Sequence, residues 1–125
     1  IPGASDVFAG GVIAYKNTTK QSMLDVPEKL IDKYGAVSKQ VAIAMAEGVR
    51  NRLDTDWGLA ITGIAGPTGG TQDKPVGIIY LGLVGRNLIE TKQLNFDKNK
   101  NRKLIQELSV LNALNFLRLN LIVRG

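Results

Sequence analysis

Helices are predicted where apolar residues recur every three or four positions. In residues 38–53 they recur every four positions, and Ser38 can cap the first turn. A shorter helix is predicted over 27–35, because proline favours a helix start and glycine a helix end. A short helical turn is predicted over 21–24. A long helix is predicted over 102–123, with its core face formed by Leu104, Ile105, Leu108, Leu111, Leu114, Leu117 and Leu121.

Strands are predicted in four apolar runs, 7–15, 57–61, 76–84 and 88–96. The first run contains Gly10 and Gly11, which is typical of a bulge or of a close approach between backbones. The last two runs are joined by a short turn and are therefore predicted to pair antiparallel. The order of strand, helices, three strands and helix predicts a layered α/β domain with a mixed sheet.

The Gly-rich loop, residues 62–71, follows a predicted strand and contains four glycines and one proline. Glycine can take positive φ, so successive N–H groups of such a loop can converge on a phosphate or a carboxylate. Thr62, Thr68 and Thr71 add hydroxyl groups, and Lys74 adds a positive charge nearby. The alternative interpretation is a wide turn between strands. The loop is neither a P-loop nor a dinucleotide fingerprint, since neither Gly-Lys-Ser/Thr nor a helix follows it.

The composition restricts the chemistry that the chain can perform. Its 125 residues fit one folded domain, and no apolar run is long enough for a membrane helix. The chain has no cysteine, which excludes disulfides and fits a cytoplasmic protein. It also has no histidine, the usual general base and transition-metal ligand. Hydrolysis would then depend on Ser or Thr with Lys, Tyr or a carboxylate, or on a hard metal such as magnesium.

The net charge of +5 indicates some affinity for phosphates or nucleic acid. The basic residues are scattered, although residues 92–103 are richer in them, and an ordinary basic surface explains them equally well. Aromatic residues are few and are not interleaved with basic ones, which argues against a platform for stacking bases. Specific binding of nucleic acid is therefore not expected.

Several motifs occur together along the chain: Gly10-Gly11-Val12-Ile13-Ala14-Tyr15 with Asn17 and Lys20, then Gly35-Ala36-Val37-Ser38, then Thr62-Gly63-Ile64-Ala65-Gly66-Pro67 with Gly69-Gly70-Thr71, and Lys74-Pro75-Val76-Gly77. Together they closely resemble the C-terminal domain of the CinA family, the competence/damage-inducible proteins. The same domain occurs alone as nicotinamide mononucleotide amidohydrolase. The resemblance covers nearly the whole chain and implies one domain, residues 1–125, with a three-layer α/β/α fold.

The resemblance implies hydrolysis of the carboxamide of nicotinamide mononucleotide (NMN) to nicotinate mononucleotide and ammonia, without a cofactor or a required metal. The implied partners are this nucleotide and a second copy of the chain in a homodimer, with no membrane. In the family, a serine in a Ser-Cys-Thr-Gly-Gly-like motif precedes the Gly-Gly-Val-Ile-Ala-Tyr strand, together with a first strand and a first helix. The sequence begins after that motif. We therefore expect an N-terminally incomplete domain that by itself lacks amidase activity.

The resemblance also implies which residues form the site. The catalytic candidates are Tyr15, Lys20, Thr62 and Arg102. The substrate-binding candidates are Asn17, Gly63, Ala65, Gly66, Gly69, Gly70 and Thr71, and no metal ligand is implied. Asn101 and Gln106 depart from the family pattern, which usually has Gly-Asp before the arginine and often has a second arginine one helical turn after it.

The chemistry of these candidates is consistent with amide hydrolysis, which needs a nucleophile, a base and donors for the oxyanion. Without histidine, a lysine of lowered pKa or a tyrosine can take the proton, and Lys20 and Tyr15 follow the same predicted strand. Taken alone, Lys20 reads as a solvated loop lysine and Tyr15 as a strand-end core residue. If that strand and the one that ends at Thr62 ran parallel, both ends would open on one crevice.

Two other functions stay open from the sequence alone. One is a competence-associated factor that acts with nucleic acid, which only the net charge and the family's name support. The other is an inactive scaffold domain, because the segment with the nucleophile is not present. A DNA titration at several salt concentrations separates the first alternative from an amidohydrolase.

Overall fold

The computed structural model describes residues 3–124. Within them, four helices and three strands follow a short 3-10 turn at Ala4–Asp6. Their order is α1 (Asn17–Leu24), α2 (Glu28–Tyr34), α3 (Lys39–Leu53), β1 (Gly58–Gly63), β2 (Ile78–Gly85), β3 (Leu88–Asn95) and α4 (Arg102–Arg124). The three longer predicted helices and the last three predicted strands are confirmed, with small shifts at their ends.

Helix α3 lies directly against the sheet. Its start is capped by Ser38, whose Oγ accepts a hydrogen bond from the Val41 N–H at 3.2 Å. It ends at Leu53, and the next residue, Asp54, caps it in a left-handed conformation with φ of 50°. A Cβ atom on Gly58 or Gly82 would collide with the backbone of α3. Glycines in the strands therefore let the helix approach the sheet closely.

The sheet has the order β1-β2-β3, and both pairs of neighbours are antiparallel. Alternate residues of the strands face opposite layers. Ala60 and Val84 belong to the core cluster formed with α3, whereas Leu59 and Leu81 pack in a second cluster with Ile105 of α4. Helices therefore cover both faces of the sheet, and the predicted three-layer α/β/α fold is confirmed.

Residues 7–15 form no strand, contrary to the prediction. Burial alternates along this segment, with Val12 and Ala14 partly buried against the core and Ile13 and Tyr15 exposed. Among residues 3–124, however, no backbone hydrogen bond joins the segment to a strand. Alternation makes one face apolar, but a strand also needs a neighbour for its peptide groups. The predicted mixed sheet required a parallel pair at this segment, and both ladders in the described residues are antiparallel.

The buried face of α4 differs from the predicted leucine face. It is centred on Ile105, Ser109 and Ala113, whereas several predicted core leucines are exposed: Leu104, Leu111, Leu114 and Leu121. The helix has 23 residues, so at about 1.5 Å per residue it is roughly 35 Å long and extends past strands of about 26 Å. Despite these exposed leucines, no helix within residues 3–124 combines the length and the apolar run that crossing a membrane requires.

Candidate active site

A cavity of about 1200 Å³ opens between residues 6–15, strand β1 and helix α4. Apolar side chains from all three form much of its wall, among them Val12, Leu59, Ile61, Val110 and Leu114. The four catalytic candidates also lie on this wall: Tyr15, Lys20, Thr62 and Arg102. The predicted parallel strands are not what brings them together. Strand β1 carries Thr62 to the cavity, and helix α4 carries Arg102 there. Their catalytic roles stay predictions.

Lys20 belongs to helix α1 and is buried, so the prediction of a solvated loop lysine is wrong. Its side chain is only 7% exposed. Its Nζ donates to the backbone carbonyl of Ala14 at 3.4 Å. Burial removes water from the ammonium group and lowers the pKa of Lys20 from its ordinary value of 10.5. A larger fraction of this amine is therefore neutral and able to accept a proton than in an exposed lysine.

Thr62 lies near the end of β1 and is also buried. Its Oγ1 donates a hydrogen bond to the backbone carbonyl of Ala36 at 2.8 Å. The hydroxyl hydrogen is therefore already used, and what Thr62 offers the cavity is an oxygen held at a fixed position. This bond joins β1 to the turn between α2 and α3, residues that are far from it in the sequence.

Arg102 and Tyr15 differ in how firmly they are held. Arg102 begins α4, and its Nη1 donates to the backbone carbonyl of Gly66 at 3.1 Å. This acceptor offsets the unfavourable position of a cation at a helix start. Tyr15 is 81% exposed, so it is not the strand-end core residue that was expected. Tyr15 nevertheless lines the cavity.

Asn101 explains one departure from the family pattern. Its Oδ1 accepts a hydrogen bond from the Leu104 N–H at 2.8 Å, as an N-cap does. The sequence contained this signal, because asparagine directly before a helix is a preferred cap. Gln106 and Ser109 are wall residues that the sequence reasoning did not place in the site. Gln106 follows Arg102 by one helical turn, which is the only signal that pointed to it.

The substrate-binding candidates divide into two groups. Gly63 and Ala65 lie on the cavity wall. The cavity wall does not include the remaining candidates: Asn17, Gly66, Gly69, Gly70 and Thr71. Asn17 begins α1, and Gly66 contributes its carbonyl to Arg102. The structure therefore brings the start of the Gly-rich loop to the cavity and leaves its later part outside.

The later part of the Gly-rich loop is occupied by its own hydrogen bonds. The Thr71 N–H donates to the Lys74 carbonyl at 2.8 Å, and the Lys74 N–H donates to Thr71 Oγ1 at 3.0 Å. The Lys74 Nζ donates to the carbonyl of Tyr34. In the structure these groups close a turn and bind helix α2, and binding of an anion by the loop stays a prediction. A Cβ on Gly66 would lie 2.6 Å from Val76 Cγ1, so this glycine is required for packing.

In the part of the chain that the structure describes, no group of three or more His, Cys, Asp or Glu residues is arranged to hold a metal ion. The polar side chains at the cavity include the amine of Lys20, the hydroxyl of Thr62, the guanidinium of Arg102 and the carboxylates of Asp6, Asp54 and Asp56. Such a set can move a proton, donate hydrogen bonds and bind an anion.

The sequence profile of the CinA C-terminal domain matches residues 1–121. The chain belongs to this family. CinA-like proteins of Parasynechococcus marenigrum and Prochlorococcus marinus (strain NATL2A) are 50% and 51% identical to it over 125 and 123 residues. The matches cover 100% and 98% of this chain but only 30% and 29% of those relatives. The chain thus spans less than a third of the length of these relatives.

Solved structures of this family have the same fold. The competence/damage inducible protein of Agrobacterium tumefaciens superposes with a TM-score of 0.89 at 36% identity, over 94% of this chain and 71% of that one. A CinA superfamily protein from Escherichia coli superposes with a TM-score of 0.77 at 31% identity, over 82% and 59%. These similarities confirm the predicted CinA family.

Proposed function

We propose that this domain hydrolyses the carboxamide of NMN, giving nicotinate mononucleotide and ammonia. The observation that carries the proposal is the buried Lys20, whose pKa is lowered by burial and which lines the same cavity as Thr62 and Arg102. Membership of the CinA family supports the choice of substrate, through the resemblance to nicotinamide mononucleotide amidohydrolase. The chain has no histidine, and among the catalytic candidates the amine of Lys20, whose pKa is lowered by burial, is the group proposed to accept the proton.

The reaction replaces a C–N bond by a C–O bond. A hydroxyl oxygen attacks the carboxamide carbon, Lys20 accepts the hydroxyl proton, and the proton is then delivered to the departing nitrogen, which leaves as ammonia. Water completes the second half of the cycle and releases the carboxylate product. The nucleophile in this proposal is the serine upstream of residue 1 that the family resemblance implies. Thr62 is held by Ala36 and keeps its oxygen in place beside this chemistry.

Arg102 and the apolar walls would hold the substrate. One guanidinium nitrogen is engaged by Gly66, and the guanidinium has other N–H groups with which it can bind a phosphate. The walls formed by Leu59, Ile61 and Val110 suit the faces of an aromatic pyridine ring. In this arrangement the phosphate lies towards α4 and the carboxamide towards Lys20.

The test is release of ammonia from NMN by the longest natural chain that contains these 125 residues. Nicotinate mononucleotide should form in equal amount, and a metal chelator should leave the rate unchanged. Nicotinate mononucleotide itself, which has no amide, is the control substrate. No ammonia above that control would overturn the proposal.

A matched substrate pair tests the role of Arg102. Arg102→Gln should raise the KM for NMN about tenfold, since a charge-assisted hydrogen bond is lost. The KM for nicotinamide riboside, which has no phosphate, should change much less. Equal changes for both substrates would show that Arg102 does not bind the phosphate.

The proposal includes one macromolecular partner, a second copy of the chain. The family resemblance supports a homodimer, and exposed apolar residues of α4 such as Leu111 and Ile122 offer surface for one. Sedimentation equilibrium of the same natural chain should give twice its monomer mass. A monomer at all concentrations would contradict this part.

Nucleic acid is not a partner in this proposal. The basic residues are dispersed along the chain, and their charge supports only salt-dependent, non-specific binding. A DNA titration at physiological salt should give a Kd weaker than about micromolar. Tighter, sequence-dependent binding would favour the competence-associated alternative instead.

A further inference from the structure

Three successive backbone carbonyls at the end of α2 and in the turn that follows it, residues 34–36, each accept a hydrogen bond from a different part of the fold. We call them the carbonyl turn. Ser38 Oγ donates to the second at 2.9 Å, and Thr62 Oγ1 donates to the third at 2.8 Å. The Lys74 Nζ donates to the first. The turn therefore joins the start of α3, the end of β1 and the loop that follows β1.

The loop between β1 and β2, residues 64–77, is held from both layers of helices. On one side Lys74 binds the last residue of α2, and on the other side Arg102 of α4 binds the Gly66 carbonyl. Gly35 allows the first contact, because a Cβ there would lie 2.8 Å from the Lys74 Nζ. The loop thus crosses the end of the sheet with one cation holding each side.

The two arms of this loop are joined, so movement at one side reaches the other. The Gly77 N–H donates to the Ile64 carbonyl at 2.7 Å, and the Ile64 N–H donates to the Ile78 carbonyl at 3.0 Å. Val76 packs against Gly66, whose carbonyl binds Arg102. A shift of the arm that carries Lys74 would therefore move the acceptor that orients Arg102.

We propose that Lys74 is a positioning residue for the reaction. Its bond to the carbonyl turn holds the β1–β2 loop so that Ala65 forms the cavity wall and the Gly66 carbonyl orients Arg102. Lys74 does not line the cavity and acts through these residues. The kinetic part of this inference rests on the proposed function, whereas the structural part does not.

Hydrogen exchange tests the structural part without any substrate. In Lys74→Met, amides of residues 64–77 should exchange about tenfold faster, the scale expected when a charge-assisted hydrogen bond is lost. Exchange in β3 should not change. Lys74→Arg, which keeps a charged donor, should restore most of the protection, and Lys29→Met, which removes an exposed lysine of α2, should have no effect. Unchanged exchange in Lys74→Met would overturn the proposal.

Kinetics test the positioning role. Lys74→Met should raise the KM for NMN about tenfold and change kcat by less than about threefold, because Lys20 and the nucleophile are not displaced. Lys74→Arg should return the KM towards the parent value. A fall in kcat with unchanged KM would contradict positioning of the binding groups. If the parent chain releases no ammonia, the proposed function fails, and hydrogen exchange still decides whether Lys74 holds the loop.

Discussion

Two irregular segments border the cavity, residues 7–15 and the β1–β2 loop, and they differ in where their polar groups go. In the β1–β2 loop, backbone groups bond across the arms, and Lys74 and Arg102 join it to two helices. In residues 7–15, the one side-chain bond found within the described residues is that from Lys20 to Ala14. Residues 7–15, which were predicted as a strand, therefore have fewer hydrogen bonds than the β1–β2 loop, which was predicted as an anion-binding loop.

This difference shows what determines order in a segment without regular structure. Glycine density indicates that a chain can bend, and apolar alternation indicates that one face can be buried. Neither tells whether donors and acceptors find partners, and it is those partners that hold a loop in one conformation. Four predictions separate the two segments, beginning with the largest effect.

The largest effect is expected at the contact of Lys20 with residues 7–15. Lys20→Met keeps an unbranched side chain that is one atom shorter but cannot accept a proton, so kcat for NMN should fall by about 100-fold or more, the scale of a general base. The KM should change little, because Lys20 is not expected to bind the phosphate. Ammonia release by the natural chain is the measurement.

The control for Lys20→Met is Lys16→Met, which removes an exposed lysine at the start of the same helix. It should leave kcat unchanged. An equal loss in both variants would trace the effect to net charge, and an unchanged kcat in Lys20→Met would remove Lys20 from the mechanism.

A pair of glycines compares the two segments directly. Gly66 has φ of 79°, and a Cβ there would meet Val76, so Gly66→Ala should lower the free energy of unfolding by about 2 kcal/mol. Gly11 has no atom within 4 Å of such a Cβ. Gly11→Ala should therefore be neutral or stabilise by up to about 1 kcal/mol. Urea denaturation measures both, and equal losses would mean that the two segments are equally constrained.

The sequence predicted most of the fold because its periodic patterns coincide with its packing. Helix α3 repeats its apolar residues every four positions and buries one face, and β2 is a continuous apolar run that is buried almost throughout. The buried face of α4 was predicted wrongly, because Ile105, Ser109 and Ala113 lie on one side of the helix and most of its leucines lie on the other. The burial of Lys20 was missed since α1 begins at Asn17 rather than near residue 21. The bonds of Lys74 and Thr62 join residues distant in sequence, and no local pattern indicates such pairs.

The third prediction concerns pH. Burial lowers the pKa of Lys20 in the folded chain below 10.5, the ordinary value that it regains on unfolding. Between these two values the unfolded chain binds more protons, so stability rises with pH. Below the pKa of the folded chain, Lys20 is charged in both the folded and the unfolded chain, so the free-energy cost of burying its charge no longer changes with pH. Relative to Lys20→Met, the parent should therefore gain stability as pH rises through the lowered pKa towards 10.5, as measured by urea denaturation at several pH values. A difference that is flat or falls with pH would show that burial of Lys20 does not disfavour its charge.

The smallest effects are expected within residues 7–15 and depend on which way each side chain faces. Val12 is partly buried against the core, so Val12→Ala should cost about 1 kcal/mol of unfolding free energy. Ile13 is 81% exposed, and Ile13→Ala should change stability by less than about 0.5 kcal/mol. Urea denaturation of the two variants compares adjacent positions of one segment. If Ile13→Ala costs as much as Val12→Ala, the outward face of this segment is covered in solution, and the contrast between the two segments is smaller than their hydrogen bonds indicate.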